Sequence, residues 1–337
     1  MTVDVSWDDQ VDTYLGALGR GDRTSALGQV RGLRTEGYDV MVIIRQLLAP
    51  AQLRVGELWV ADTWSVAQEH AATAISEAVL TSLAVERELS TEPRKDAPTV
   101  VVSCVEQEWH ALPALMVTEH LRAQGYSVSY LGANASAQGL VRHVHEVGPR
   151  AVLLSSSLST FLPLARRQVE AVRETGTPVM VGGSAFDPDG RRARVIGATA
   201  FATSASEVAD LVASLPTAVP PAPPLTHPGA DEAFVVFGDR EEMADEAARA
   251  VLDAVSPHDP GWVRVLEDQM PHLVGSIAGA LVTGDPSVVR HALTWAEIVL
   301  TNRRAPEGTG VALRRALADT VHELPVASRL LDTDQPV

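Results

Sequence analysis

The sequence is poor in cysteine, in aromatic side chains and in positive charge. Its 337 residues contain one cysteine, Cys104, and aromatic residues make up only 4%. A single thiol excludes a disulfide framework and a cysteine-rich zinc site within the chain. Its 27 Lys and Arg residues against 43 Asp and Glu residues give a formal net charge of −16. We therefore expect no direct binding to DNA or to an anionic membrane, because an acidic surface repels phosphate groups.

Long apolar runs are also missing. No stretch reaches the length needed to span a membrane, and residues 1–7 lack the basic start and apolar core of a signal peptide. We expect a cytoplasmic protein on these grounds. Apolar residues nonetheless make up 46% of the chain, which is enough to build the cores of two or three domains.

The first part of the chain has the spacing of packed helices. Apolar residues recur at intervals of three and four between residues 38 and 60, where Pro50 predicts a break between two helices. Residues 66–89 contain no Gly or Pro and predict one long helix. We expect a four-helix-bundle cap over residues 1–90, followed by a polar linker over residues 91–98. We therefore expect no helix-turn-helix module before the cap.

A different pattern begins near residue 97, where short β-branched runs alternate with helical segments. Five strands are predicted: Thr99–Cys104, Ser127–Leu131, Ala151–Ser155, Pro178–Val181 and Thr199–Ala202. Helices are predicted over 112–124, 137–147, 162–174 and 205–215. This alternation predicts a doubly wound, parallel, five-stranded α/β domain over residues 97–215. Ligands of such sheets bind at the carboxyl ends of the strands.

The last part of the chain is predicted to be helical. Residues 216–230 hold six prolines and predict an extended linker. Residues 231–337 predict an all-α domain with four helices, at 240–255, 261–283, 286–303 and 310–331.

The first strand is followed by a pair of residues that suits metal binding. Glu108 stands two residues before His110, at the predicted carboxyl end of the strand. A carboxylate in this place can accept the imidazole's second N–H, which fixes the tautomer of a ligating histidine. Alone, the pattern is more typical of a solvated or capping histidine.

Two further motifs give the pair a context. Ser155-Ser156-Ser157-Leu158 follows the third strand, and Gly182-Gly183 follows the fourth. With this spacing, residues 97–215 resemble the cobalamin-binding domain family, whose pattern is Asp-x-His-x-x-Gly, then Ser-x-Leu, then Gly-Gly. Glu108 replaces the family's Asp. Pro113 replaces its Gly, which puts close approach of the cofactor tail at that point in doubt.

The resemblance implies a role for each motif. His110 would displace the cofactor's dimethylbenzimidazole base and bind cobalt as the lower axial ligand. Ser156 or Ser157, next to Leu158, would hydrogen-bond the displaced base. Gly182 and Gly183 would let the backbone close on the nucleotide tail. Leu131 and Gly132, after the second strand, would lie in the loop beside the corrin.

The cap carries a second resemblance. Trp59 is followed by Glu69-His70, and this Trp-x9-Glu-His spacing resembles the cap of the CarH-type light-dependent repressors. In those caps the Trp packs over the 5′-deoxyadenosyl group, and Glu and His line its pocket. The repressors have a second His directly after the Trp, whereas this chain has Val60. We therefore expect another sixth ligand after illumination, such as water or His70, and an output other than DNA binding.

Three alternatives remain for residues 231–337. They form a dimerisation or docking bundle, a globin-like domain that holds a bilin, or a haem domain with His272 or His291 as ligand. The order of cap, cobalamin domain and helical domain resembles the photocobilins, which implies non-covalent biliverdin. The candidate bilin-binding residues are Trp262, His272, His291, Trp295, Arg303 and Arg314.

These features predict an adenosylcobalamin photoreceptor rather than an enzyme. Light would break the Co–C bond, and the chain would signal to a downstream protein that the sequence does not identify. The alternative is a corrinoid carrier for a methyltransferase system, and a third reading is a structural adaptor with a degenerate cobalamin fold. We expect a homo-oligomer, with a dimer favoured, because such caps commonly mediate association.

Overall fold

The computed structural model describes residues 5–90, 97–255 and 260–332. Residues 91–96 of the predicted polar linker therefore lie outside the described residues. Contacts between residues group the chain into two units. The first unit contains the chain up to Ala97 together with residues 115–126, and the second contains residues 98–114 and everything from Ser127 onward.

The first unit is helical, as the sequence predicts. Its first three helices are capped by Ser6, Asp22 and Asp39, whose side chains accept a backbone N–H of the first turn. The helices are α1 Trp7–Gly19, α2 Arg23–Thr35, α3 Val40–Ile43, α4 Ala49–Val60 and α5 Val66–Ser90. Buried Tyr14 and Ser76 join α1 to α5 through their hydroxyl oxygens, which lie 3.4 Å apart.

The predicted break at Pro50 is replaced by a π-turn. Residues Ile44–Leu48 form one turn of π-helix that runs directly from α3 into α4. The Ala49 N–H donates to the Ile44 carbonyl, five residues back. Pro50 lies in the first turn of α4, where its missing N–H costs little. The two predicted helices are present as α3 and α4, but the wider turn joins them so that the helical run does not end at the proline.

The second unit contains a parallel sheet with the strand order β2-β1-β3-β4-β5. The strands are β1 Thr99–Cys104, β2 Ser127–Gly132, β3 Ala151–Ser155, β4 Val179–Gly182 and β5 Ala200–Ala202. Residues Val100–Cys104 are buried throughout, as expected for a strand covered on both faces. The predicted five-stranded parallel sheet is confirmed. Its order reverses between β1 and β3, which is where ligands of doubly wound sheets bind.

Helices connect the strands of this sheet. They are α6 Ala111–Ala123, α7 Ala137–Val147, α8 Leu162–Arg173, α9 Arg191–Val195 and α10 Val208–Ser214. Two single turns of 3₁₀-helix, Ser159–Phe161 and Ala205–Glu207, precede α8 and α10. The residues of α6 from Leu115 onward group with the first unit.

The end of the described chain is all-α, but it has six helices where the sequence predicts four. They are α11 Ala230–Gly238, α12 Arg240–Ala254, α13 Pro260–Thr283, α14 Ser287–Asn302, α15 Thr309–Thr320 and α16 Pro325–Leu331. Helix α11 directly follows the proline-rich segment and was not predicted. The predicted helix over 310–331 is divided because Pro325 begins a new helix and cannot continue the old one.

The proline-rich linker is tied to α8 by arginine side chains. Arg173 donates to the Pro220 carbonyl at 3.0 Å, and Arg166 donates to the Pro223 carbonyl at 2.7 Å. Carbonyls in a proline-rich segment have few backbone N–H partners nearby, so long donor side chains satisfy them instead.

One hydrophobic core joins the sheet to the C-terminal helices within the second unit. It contains Val169 and Val181 of the α/β domain together with Trp262 and Ile277 of α13. Glycine lets α13 approach closely, since a Cβ on Gly275 would lie 1.8 Å from the Thr160 hydroxyl oxygen. None of the described helices is both long and apolar enough to cross a bilayer.

A buried ion pair adds to this contact. Arg192 of α9 donates to Asp285 at 2.8 Å, and the two side chains are only 8% and 11% exposed. Burial alone would raise the pKa of Asp285, but hydrogen bonds from Ser287 and Arg192 hold it below its ordinary value.

Replacing Asp285 by Asn should destabilise the protein by about 3 kcal/mol at neutral pH, because Arg192 is left as a buried, unpaired charge. A carboxylate with a lowered folded-state pKa stabilises above its ordinary pKa and loses that contribution as pH falls through the lowered pKa. The difference between wild type and variant should therefore shrink in acid. Urea unfolding across this pH range measures both effects.

The matched control is Asp319→Asn, which breaks an exposed pair with Arg315 whose side chains are 84% and 74% exposed and whose closest atoms are 3.9 Å apart. It should change stability by no more than about 0.5 kcal/mol. Equal effects of the two substitutions would show that the Arg192–Asp285 pair contributes nothing beyond a surface pair.

Candidate functional site

His110 lies in the loop between β1 and α6, which we call the ligand loop (residues 105–110). Its imidazole is half exposed, and its Nδ1 lies 2.6 Å from Oε1 of Glu108, which is fully buried. The same oxygen accepts the His110 backbone N–H at 3.0 Å. Because Nδ1 faces the carboxylate, metal binding by this imidazole would use Nε2.

The other oxygen of Glu108 binds the loop that follows β3. This segment, residues 156–158, is called the serine loop below. Glu108 Oε2 accepts the backbone N–H groups of Ser157 at 2.7 Å and of Leu158 at 3.0 Å. The Ser156 hydroxyl lies 3.4 Å from the same oxygen. One buried carboxylate therefore connects the imidazole of His110 to a second loop at the carboxyl edge of the sheet.

The electrostatics of Glu108 favour its charged form. Burial alone would raise the pKa of Glu108, but hydrogen bonding to His110 and the charge on its ring act in the opposite direction. Backbone N–H donors add to them, and the net pKa lies below its ordinary value. A carboxylate that stays ionised can hold the Nδ1–H of His110 and raise the basicity of Nε2 as a metal ligand.

The glycine pair after β4 lies against the serine loop. Gly183 has a φ of +109°, and a Cβ there would lie 2.2 Å from the Ser156 carbonyl oxygen. Gly182 accepts the Ser156 N–H at 3.0 Å. Any larger residue at position 183 would push the serine loop away from β4. In this structure the glycine pair thus sets the position of Ser156.

The remaining predicted loop follows β2. Gly132 has a φ of +75°, and the pairing of β1 with β2 shifts register at this point, where Ser103 lies opposite Gly132. Leu131 is partly buried and packs against the hydrophobic core. Both residues lie at the same edge of the sheet as the ligand loop, because all five strands are parallel.

Asn134 stands in the loop after β2 that the resemblance places beside the corrin, and here it supports the ligand loop. It has a φ of +54°, its side-chain oxygen accepts the Gln107 N–H at 2.9 Å, and its own N–H donates to the Glu108 carbonyl at 3.1 Å. Gln168 of α8 adds a second support by accepting the Glu106 N–H at 3.0 Å. The sequence Gly-x-Asn after β2 indicates a turn at this point, because Asn adopts left-handed backbone more readily than most residues.

In the first unit, the structure brings Glu69 and His70 together. His70 Nδ1 lies 2.5 Å from Glu69 Oε2, and the His70 side chain is largely exposed. Glu69 Oε1 also accepts the Thr73 hydroxyl at 3.0 Å, and Gln52 donates to that hydroxyl at 2.6 Å. Gln52 and Thr73, which the sequence did not single out, therefore fix the carboxylate of Glu69. Trp59 and Val60 are half-buried at the end of α4.

The predicted bilin residues lie in varied surroundings. Trp262 is fully buried in the hydrophobic core. His291 is exposed, and Trp295, one turn further along α14, is 37% exposed. Arg303 is buried and donates to the Val299 carbonyl at 3.2 Å. The structure does not test bilin binding by these residues.

The two remaining candidates are Arg314 and His272. Arg314 of α15 forms an ion pair with Glu297 at 2.7 Å. The ring of His272 meets that of Phe161 edge-on, with centroids 6.2 Å apart. Burial lowers the pKa of His272, and the charges on His110 and Arg240 lower it further. His272 therefore lies within electrostatic range of the candidate cobalt ligand.

The donors at this edge of the sheet fit a corrinoid. A corrin ring supplies four equatorial nitrogens to cobalt, so the protein needs to supply only an axial ligand. His110 offers one imidazole, half exposed and held in orientation by a buried carboxylate. Among the described residues, no group of three or more His, Cys, Asp or Glu side chains is placed to hold a bare metal ion.

Comparisons with known proteins point to the same cofactor. Residues 98–213 match the model of a B12 binding domain, and residues 10–84 match a second B12 binding domain model. The first match spans all five strands, and the second lies within the helical first unit.

Individual relatives are of two kinds. Over 143 residues the chain is 33% identical to the HTH-type transcriptional repressor CarH of Myxococcus xanthus, which covers 42% of this chain and 46% of the repressor. The chain thus spans less than half of that relative's length. It is also 26% identical to Trimethylamine corrinoid protein 1 of Methanosarcina mazei over 181 residues, which are 52% of this chain and 82% of that protein.

A solved structure supports the fold. The monomethylamine corrinoid protein of Methanosarcina barkeri matches with a TM-score of 0.51 at 20% identity, over 61% of this chain and 98% of that one. Together with the oriented His110, the two B12 binding domain matches support cobalamin binding and a place for this chain among the cobalamin-binding proteins.

Proposed function

We propose that this chain is a light-responsive, adenosylcobalamin-binding signalling protein rather than an enzyme. The observation that carries the cobalamin part is the contact of His110 with buried Glu108 at the carboxyl edge of the sheet. The observation that carries the adenosyl part is the carboxylate of Glu69, held by Thr73 and His70. The match to the repressor CarH supports this proposal, since it covers part of a transcriptional regulator rather than of a carrier.

The residues of the second unit would bind the lower side of the cofactor. His110 would bind cobalt through Nε2, while Glu108 would keep the ring in one tautomer. Of Ser156 and Ser157, Ser157 is better placed to bind the displaced base, because Ser156 is fully buried and its hydroxyl faces Glu108 and the Leu158 carbonyl. Gly182 and Gly183 leave room for backbone to approach the nucleotide tail without a Cβ clash.

The residues of the first unit suit an adenosyl group. The carboxylate of Glu69 suits the ribose hydroxyls, and the indole of Trp59 offers an apolar face to the adenine. Adenosylcobalamin, when bound, supplies a cobalt–carbon bond that light breaks. Without the adenosyl group, Trp59 and Glu69 would lose that contact, and this change in ligand contacts would shift the population of conformations. Val60 has no nitrogen to offer a metal, whereas His70 has one, and water is the other candidate ligand.

We also propose that a downstream signalling protein recognises the altered conformation. The chain would act as a homo-oligomer, with a dimer favoured. Biliverdin, held without a covalent bond by the C-terminal helices, would be a second chromophore. The chain's single cysteine, Cys104, is buried in β1, so a thioether link to a bilin is not expected.

A corrinoid carrier for a methyltransferase system is the second candidate. The match to Trimethylamine corrinoid protein 1 covers 82% of that protein, a larger share than the match to the repressor covers. A carrier must present its methyl group to partner enzymes, whereas Trp59, Glu69 and His70 suit enclosure of a larger group. The preferred upper ligand therefore distinguishes the two functions.

Replacing His110 by Ala should weaken cobalamin binding by at least about tenfold, because the axial nitrogen is lost. Glu108→Gln should weaken it by about tenfold, since partners that orient a metal ligand contribute 10- to 100-fold. Titration of the purified variants with adenosylcobalamin, followed by visible absorption, measures both. His145→Ala, at an exposed histidine on α7, is the control and should bind as wild type. Unchanged binding by His110→Ala would favour a degenerate, structural fold.

Glu69→Gln should reduce the preference for adenosylcobalamin over methylcobalamin by about tenfold, because a charge-assisted hydrogen bond contributes about 1.5 to 3 kcal/mol. The ratio of the two dissociation constants is the measurement. Glu57→Gln is the control, since Glu57 is exposed on α4 and pairs only loosely with Arg54 at 3.6 Å. A wild-type preference for methylcobalamin, together with photostable absorption bands, would favour the carrier function.

Addition of biliverdin to the adenosylcobalamin-loaded protein should produce a red-absorbing band. Arg314→Ala should weaken bilin uptake several-fold if this guanidinium meets a propionate. Exposed Arg315, its neighbour on α15, is the matched control. Absorption spectra before and after green light measure both chromophores. A protein that takes up cobalamin but no bilin would leave the C-terminal helices as a docking bundle.

A further inference from the structure

The C-terminal helices contact both loops that Glu108 connects. Arg240, at the start of α12, donates to the side-chain oxygen of Gln107 at 2.6 Å. Gln107 belongs to the ligand loop and stands one residue before Glu108 and three before His110. This side-chain contact joins the helical region to the cobalt-ligand segment directly.

Arg240 is itself held in place. Its guanidinium carbon lies 4.3 Å from the centre of the Phe237 ring, and its Nε lies 3.1 Å from Glu241. The side chain is only 16% exposed. An arginine that lies over a ring and is mostly buried presents its remaining N–H groups in a defined direction.

Gln107 needs such support because its backbone is strained. Its φ is +67°, a left-handed conformation that is unfavourable for a residue with a Cβ. Strained conformations of this kind persist where the surroundings determine them from several sides. Asn134 fixes the backbone N–H of Gln107, and Arg240 fixes its side chain.

Helix α13 packs against the continuation of the serine loop. A Cβ on Gly279 would lie 2.4 Å from the Ser159 carbonyl oxygen, and the hydroxyl oxygens of Ser159 and Ser276 are 3.3 Å apart. Ser159 directly follows Ser157 and Leu158, whose N–H groups donate to Glu108. The C-terminal helices therefore support the carboxylate's two attachment points from outside.

From these contacts we infer that Arg240 is a positioning residue for the lower cobalt ligand, so that the coordination of His110 depends on the C-terminal helices. This inference rests on the proposed role of His110 in cobalt binding. Arg240 acts through Gln107, which holds the ligand loop in the conformation that brings His110 to Glu108. Movement of α12 would then change the coordination of cobalt, and a change in coordination would act on α12 by the same coupling.

The experiment uses the full chain loaded with cob(II)alamin, whose electron paramagnetic resonance spectrum shows splitting from an axial nitrogen. With ¹⁵N-histidine labelling, wild type should show splitting from the imidazole of His110, and His110→Ala should lose it. Arg240→Ala should keep the cofactor but lose at least half of the imidazole-coordinated fraction, with affinity reduced by about tenfold. Arg240→Lys should restore most of that fraction, because an ammonium can also donate to Gln107.

Two further variants separate positioning from general stability. Arg249→Ala removes an arginine further along α12 that donates to the Asp245 carbonyl of its own helix, and it should leave the spectrum unchanged. Gln107→Ala should reproduce the effect of Arg240→Ala, and the double variant should add little to either. Melting temperatures measured by circular dichroism detect a variant that merely unfolds.

The outcomes distinguish the two proposals. If wild type shows no histidine nitrogen on cobalt, the proposed role of His110 fails, and the inference about Arg240 fails with it. If His110→Ala loses the nitrogen signal while Arg240→Ala and Gln107→Ala keep it in full, cobalt binding by His110 stands and only the positioning role is overturned.

Discussion

The site depends on one buried carboxylate. Glu108 accepts hydrogen bonds from the ring and backbone of His110 through one oxygen, and from the backbone of Ser157 and Leu158 through the other. An ionised group removed from water is costly unless donors surround it, and here the donors come from two loops separated by about fifty residues of chain. The cost of burying the charge is therefore offset only when both loops are in place. The same requirement ties the orientation of the imidazole to the packing of the sheet edge.

Glycine makes this arrangement possible at two contacts. Gly183 lets β4 lie against Ser156, and Gly275 lets α13 lie against Thr160. A side chain at either position would displace the segment that carries the donors of Glu108. The serine loop is thus held between a strand end on one side and a helix of the C-terminal region on the other. In this structure, the C-terminal helices are part of the environment of the candidate cobalt ligand rather than an independent attachment to the chain.

The sequence predicts the strands of the sheet well because each strand is marked by a continuous local run of residues. The continuous β-branched run Thr99–Cys104 gives β1 its observed bounds, and the pairing of Glu108 with His110 follows from their spacing. The backbone donors to Glu108 are not predictable in this way, since any residue carries an N–H. The contact of Arg240 with Gln107 joins residues 133 positions apart and leaves no local pattern. The π-turn before Pro50 was missed for a related reason, because proline signals a disturbance of a helix without specifying how the backbone accommodates it.

Position 108 holds Glu, whereas the cobalamin-binding domain family has Asp. The longer side chain matters here because its carboxylate contacts two loops at once. Its oxygens must be 2.6 Å from the ring of His110 and 2.7 Å from the Ser157 N–H at the same time. An Asp at position 108 would be shorter by one carbon–carbon bond, about 1.5 Å. With the present backbone it would lose one of these partners, unless the ligand loop moved toward the serine loop. Gln107, with its left-handed backbone fixed by Asn134 and Arg240, holds the ligand loop at the distance that the longer side chain spans. In this structure, the length of Glu108 and the left-handed backbone of Gln107 therefore serve the same contact between the ligand loop and the serine loop.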